Sequence, residues 1–349
     1  MTEKELEQRL DEVRSDERYY HLHKIDNAIF NASVDYFRKV GAEWCNLPLT
    51  TLMISSPGEV YAGQRLDYTT DALPVELDWF KNNRKIFLAE SAQFYLEMRL
   101  LIRGIDRVFC IYNSFRKEKT DFSHLSEFQH IEFEGKVDFN ENTEIFINLL
   151  KHVTRTLVKD NAKNLKYFLK PEDVAGLKKA FDPGRAVKRL TFDQAMAVLY
   201  EDTEDKRYRE RTMKHFGAWE EIRLTNIFQK HVLITEFPLL EIPFYHDEAD
   251  AGDNKKGVAK NADLILCGYR ETVGGGTRIS DPEKLKAKAA LFNLPPEDYA
   301  PYLRTRKAEN YEVTSGFGLG WQRYVHWLLK LPFIWDACHV PRTHYLPKP

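Results

Sequence analysis

The sequence predicts an α+β fold, an antiparallel sheet with helices packed on it. Three observations carry the prediction. Strand-like stretches follow one another across short polar segments: RVFCIYNSF and FQHIEFEG flank one loop, and NADLIL and RETVGGGTRI flank one turn. Regular βαβ alternation, which a parallel sheet requires, is missing. Between the strand groups stand stretches with apolar residues at helical spacing, such as NTEIFINLLKHVTRTLVKD.

Taken in order, residues 1–16 are charged throughout and read as a helical extension, and residues 17–349 as one domain. HKIDNAIFNASVDYFRKVG (23–41) is a helix that stops at Gly41, a suitable C-cap. AEWCNLPLTTLMI is extended, with Pro48 limiting it to an edge or a strand start. Residues 84–102 begin as a strand and pass into a helix. Thr191 opens a helix with a capping-box pattern, Gln194 standing three residues on. HVLITEFPLLEIPFYH is strand-like but broken by Pro238 and Pro243, and 247–260 is a polar loop. SGFGLGWQRYVHWLLK runs from a glycine-rich strand into a helix.

Composition sets bounds on function. The chain has 349 residues, 43% hydrophobic and 30% charged, enough for a substantial core. A net charge of −2 provides no general field for DNA, RNA or anionic membrane. No apolar stretch approaches the roughly 20 residues of a membrane span, and the charged N-terminus is not a signal peptide. A cytoplasmic location is expected. Cys45, Cys110, Cys267 and Cys338 form no CxxC pair, and the His21/His23 pair has no neighbouring ligands to complete a metal site.

Three constellations carry chemistry. In FRKEKTDFSHLSEF (115–128), Arg116 at a strand end can grip an anion, Phe128 can stack on a base, Glu118 can accept from an exocyclic amine and His124 can reach a distal phosphate. The same stretch also suits an ordinary solvated hairpin. In SGFGLGWQR, Gly316, Gly318 and Gly320 let backbone approach a ligand, and Arg323 lies on the first helical turn after them. No GK[ST] follows, which excludes a P-loop. In the third, Asp263 and Glu271 flank a turn and Arg278 follows three glycines. Two nearby carboxylates suit Mg²⁺ with substrate phosphates completing its shell, although Asp263 also suits a strand-edge turn.

Together these segments resemble the three motifs of class II aminoacyl-tRNA synthetases. VGAEWCNLP is similar to motif 1, with Gly41 and Pro48; FRKEKTDFSHLSEFQHIEFE to motif 2; GFGLGWQR to motif 3. Within that class the sequence most resembles asparaginyl-tRNA synthetases, through ESAQFYLEM, RETVGGGTRI and DACHVPR as well. The resemblance implies the class II antiparallel sheet in a single catalytic domain, with ATP and Mg²⁺ used to adenylate an amino acid. It implies that Arg116 holds the α-phosphate and Arg323 the γ-phosphate, with Phe128 and Arg323 sandwiching adenine. Glu118 then holds the amine edge and His124 lies near the terminal phosphates. Glu271, with Asp263, binds Mg²⁺. Ser91 and Gln93 hold the amino-acid backbone, and Arg278 and Glu97 its side chain. Leu96 stands where aspartyl enzymes have lysine; a Glu–Arg pair suits an amide. A homodimer through helix 23–41 and the strand after it is implied too.

The sequence also departs from that family. Motif 1 begins near residue 23, leaving no room before it for an anticodon-binding domain. Gly276 replaces a serine, Pro243 a basic residue and Lys117 a small one. In lacking that domain the chain resembles archaeal asparagine synthetases related to asparaginyl-tRNA synthetase. The expectation is therefore an AMP-forming ligase that activates aspartate or asparagine and acylates ammonia or a small amine. The alternatives are a tRNA-acylating enzyme without an anticodon domain and a non-catalytic paralogue that binds amino acid or adenylate.

Overall fold

A computed structural model describes residues 3–62, 74–80, 84–117, 120–181, 187–249 and 257–343. Helices α1 (Glu3–Ser15) and α2 (Glu17–Lys39) lead into short strands β1 (Glu43–Trp44), β2 (Thr50–Thr51), β3 (Val75–Leu77) and β4 (Ile86–Leu88), then α3 (Gln93–Arg99). A hairpin of β5 (Arg107–Phe115) and β6 (Glu127–Gly135) precedes α4 (Phe139–Asp160), α5 (Ala162–Phe168) and α6 (Pro171–Lys179). Then come β7 (Lys188–Thr191), α7 (Phe192–Thr203), α8 (Ala218–Phe228), β8 (Val232–Thr235) and the small hairpin β9 (Glu248–Ala249) with β10 (Val258–Ala259). The chain continues through β11 (Asn261–Ile265), β12 (Glu271–Thr277), α9 (Pro282–Leu291), α10 (Pro296–Arg304), β13 (Ser315–Gly320) and α11 (Trp321–Leu329).

Eight strands form one sheet in the order β1-β5-β6-β13-β12-β11-β8-β7. Its six central strands are antiparallel, as expected, but both edges are not: β1 runs parallel to β5, and β7 parallel to β8. The β7–β8 pair is joined through α7 and α8, the crossover a parallel pair needs. Four-residue strands around a helix pair leave too weak a signal for this to be seen from sequence.

The core lies where α2 and α4 cover one face. Phe37 of α2 stacks on Phe109 of β5, with ring centroids 4.4 Å apart, and Phe146 of α4 meets Phe317 of β13 edge-on at 5.5 Å. α4 starts where Asp138 accepts from Glu141 N–H at 2.8 Å. α2 is longer than expected, opening at the Asp16 cap; its end matches expectation, with Gly41 at φ +74° just beyond. The Thr191–Gln194 capping box is present in both directions.

The N-terminal helix is present as α1 and packs on the rest of the chain: Arg9 is buried and its guanidinium donates to Asp336 at 3.1 Å. Two local expectations need correction. Only Val232–Thr235 of the proline-interrupted segment is strand, because Pro238 and Pro243 turn the chain away. Residues 247–260 contain the β9–β10 pair rather than loop alone. Among the described residues no helix is long and apolar enough to cross a membrane.

Candidate active site

The second face of the sheet is built by strand alternation. On β6, Ile131 and Phe133 enter the core, which turns His130, Glu132 and Glu134 to the opposite side. On β13, Phe317 and Leu319 do the same and leave Gly316, Gly318 and Gly320 facing that side. Gly316 is paired with Glu134, and a Cβ there would overlap the Glu134 carboxylate; glycine is required because a buried acid crosses over it.

One cleft runs along this face. One end is lined by Arg116, His124, Phe128, Glu271, Gly318 and Arg323. The other is lined by Ser91, Gln93, Asp263 and Arg278, with Arg116 and Glu271 common to both. Residues from four distant sequence segments therefore converge. Glu118 lies outside the described residues.

At the first end, Arg323 Nη2 donates to His124 Nε2 at 3.0 Å, and His124 Nδ1 shares a proton with Asp121 Oδ2 at 2.9 Å. Arginine has only donors, so Nε2 is the accepting nitrogen and Nδ1 carries the hydrogen. Burial, followed by the Arg323 charge, pushes the His124 pKa down. Arg323 Nη1 also donates to the Glu271 carbonyl at 2.9 Å and lies 3.3 Å from its carboxylate. Arg116 is held at the strand end and stands over the Phe128 ring, 5.5 Å from its centroid. His130, on the floor between the two arginines, is pushed down to about 3 by burial and then by Arg116 and Arg323, so it is neutral.

Asp263 pairs with Gly274 across β11 and β12. A Cβ on Gly274 would stand 2.9 Å from Glu271 Oε1 and 3.2 Å from Asp263 Oδ1, so the two carboxylates flank one bare backbone position. Burial, then the charges of Glu271 and Glu221, raise the Asp263 pKa well above the carboxylate range. Carboxylates that repel one another beside a cleft are the donor set a hard cation relieves, and Mg²⁺ commonly takes one or two of them plus substrate oxygens. The residues fit that ion.

At the second end, Ser91 donates to Glu132 at 2.5 Å, and Ala92 N–H donates to the other Glu132 oxygen at 2.7 Å. Gln93 donates to the Phe317 carbonyl at 3.1 Å and accepts from Arg278. Arg278 is 1% exposed and grips Glu134 through Nε at 3.1 Å and Nη2 at 2.7 Å. Burial works against its charge, but Glu134 and Glu97 keep it protonated. Glu97 lies next to Arg278, whose Nε is 3.8 Å from its Oε1; Tyr302 donates to the same oxygen at 2.7 Å, and Arg306 pairs with Oε2 at 2.7 Å.

Sequence reasoning missed Glu132, Glu134, His130, Arg306 and Arg270. Alternation in QHIEFE, read forward from Phe128, could have put the first three on one face. Arg270, which donates to Ser123 at 2.7 Å and Glu221 at 3.2 Å, and Arg306 carried no local signal.

The sheet with parallel edges thus carries two arginines at one end of a glycine-floored cleft. Residues 5–344 match the family described as tRNA synthetases class II (D, K and N), and the chain belongs to that family. It is 33% identical over 264 residues to asparagine–tRNA ligase of Thermococcus kodakarensis, covering 75% of this chain and 58% of that one. Its identity to the Thermoplasma acidophilum asparagine–tRNA ligase is 29% over 330 residues, covering 93% and 70%. The asparaginyl-tRNA synthetase from Pyrococcus horikoshii, solved with asparaginyl-adenylate, superposes with a TM-score of 0.83 at 26% identity, covering 99% of this chain and 73% of that chain. The chain thus spans less than two thirds of the Thermococcus relative's length.

Proposed function

We propose that this chain activates asparagine with ATP and transfers the asparaginyl group to tRNA. The observation that carries the reading is the cleft itself, in which Arg116 and Arg323 stand at one end and Ser91, Gln93 and Arg278 at the other. ATP lies along the first end, with Arg116 at the α-phosphate and Arg323 and His124 at the terminal phosphates. Phe128 stacks on adenine and Glu118 holds its amine edge. The asparagine carboxylate attacks the α-phosphorus, the bond to the bridging oxygen breaks, and pyrophosphate leaves. Charge accumulates on phosphate oxygens, so fixed guanidinium groups lower the barrier more than any proton transfer does. Asp263 and Glu271 would hold Mg²⁺, which supplies further charge neutralisation.

In the second step a tRNA hydroxyl attacks the acyl-adenylate and AMP leaves. The names of the relatives support tRNA over the ammonia acceptor expected from the sequence. Net charge had argued the other way, but a whole-chain sum says nothing about one face of the molecule. We also propose that two copies associate through α2 and β1.

Asparagine-dependent exchange between ATP and labelled pyrophosphate tests the first step, and formation of asparaginyl-tRNA tests the second. Absence of exchange with asparagine overturns the reading. Exchange followed by acylation of ammonium but not tRNA restores the amide-ligase alternative.

A further inference from the structure

The side-chain end of the cleft is short of an acceptor. An asparagine amide presents one oxygen, which accepts, and one NH₂, which donates. Arg278 suits the oxygen: Nε and Nη2 are engaged by Glu134 and Gln93, while its guanidinium borders the cleft. The NH₂ needs an acceptor beside it. Glu97 stands behind Arg278, with one oxygen accepting from Tyr302 and the other ion-paired with Arg306 at 2.7 Å. Glu134 is 0% exposed and already grips Arg278.

His246 remains. It lines the same cleft, and its backbone is bridged to that of Arg278. It is 7% exposed, yet its buried Nδ1 has no hydrogen-bond partner among the described residues. A buried polar atom left unmatched costs about 1–3 kcal/mol, a cost that a matching ligand atom or a bound water removes. The ring is held in place. Lys288 Nζ donates to the His246 carbonyl at 2.9 Å, and Tyr245 packs against the imidazole with ring centroids 4.9 Å apart. Space for the ring comes from Gly276, where a Cβ would stand 2.6 Å from Nδ1. A Cβ there would also stand 2.4 Å from the Lys260 carbonyl oxygen, so backbone and imidazole together leave room only for glycine at 276. Burial, with the charges of Arg278 and Lys288 adding, keeps the imidazole unprotonated, so one ring nitrogen carries a lone pair.

We propose that His246 reads the amide end of the amino-acid side chain, taking the acceptor role that Glu97 does not fill. The inference rests on the asparagine-activation reading. It makes His246 a specificity-determining residue, paired with Arg278, and Gly276 the opening that admits it.

The test is asparagine-dependent ATP–pyrophosphate exchange with the full chain. His246→Ala should raise the KM for asparagine at least tenfold and leave that for ATP within twofold. His246→Asn and His246→Gln each return an acceptor oxygen near one ring nitrogen, and one of them should recover most of the loss; a merely structural role predicts no such rescue. If His246→Ala does not fold, these two variants still decide the matter. The inference is overturned if they and His246→Ala keep the wild-type KM for asparagine, or if Glu97→Gln alone raises it. A wild-type chain without asparagine-dependent exchange overturns the functional reading as well; wild-type exchange with an indifferent His246 overturns this inference alone.

Discussion

Glu97 and Arg306 form a buried ion pair at 2.7 Å, with side chains 2% and 0% exposed. Arg306 lies over Tyr302 at 4.4 Å and Tyr311 at 5.2 Å and donates to the Ile279 carbonyl at 2.9 Å. This pair gives the acid at position 97 a structural partner.

Removing one partner should therefore be costly. Arg306→Met strands a buried carboxylate and should destabilise the chain by about 3–5 kcal/mol. Adding Glu97→Gln removes the stranded charge and should recover a large part. Urea denaturation of the single and double variants measures both; equal stabilities for the single variant and wild type would dismiss the pair as a structural element.

Arg116→Ala should cut the adenylation rate at least about a hundredfold, the scale of one lost charge-stabilising donor. The melting temperature should change little, since Arg116 stands at a cleft wall and not in the apolar core. Single-turnover adenylate formation reads the effect.

Lys288 is 7% exposed, and burial pulls its pKa down to about 7. The unfolded chain keeps this amine protonated to about pH 10.4. Between those values the unfolded state binds more protons, so stability rises with pH; below about 7 the penalty is present in full. Lys288→Met should remove that slope. Its stability relative to wild type should fall by about 2 kcal/mol between pH 7 and pH 9, by the linkage of protonation to folding. Denaturation at the two pH values checks the sign.

Phe30 on α2 is 47% exposed and Trp44 on β1 is 60% exposed, on the segment proposed to join two copies. Phe30→Asp with Trp44→Asp should weaken association at least about thirtyfold, as expected for losing aromatic anchors of about 2 kcal/mol or more. Sedimentation equilibrium would show the shift; an unaltered dimer would move the interface elsewhere.

Much of this molecule is legible along the chain. The β5–β6 hairpin, the β11–β12 hairpin, the step from β13 into α11 and the capped starts of helices are written in local patterns, because strand and helix periods and cap chemistry act over a few residues. Arg116, His124, Phe128 and Arg323 were recognisable for the same reason, each standing at a fixed offset within one motif. The parallel edges were not, since β1 and β7 are two and four residues long and take their direction from crossovers.

By itself, then, the amino-acid order determined the hairpins, the helix caps and which residues line the cleft at its arginine end. Only tertiary structure decided what each buried charge faces. Glu97 was matched to a ligand by motif but is claimed by Arg306, more than 200 positions away, and Arg278 is claimed by Glu134. Ion pairing in a dry interior depends on distance and desolvation, and neither is a property of a residue's neighbours in sequence. The same holds for His246, whose ring packs over Gly276 of β12, a position with no side chain.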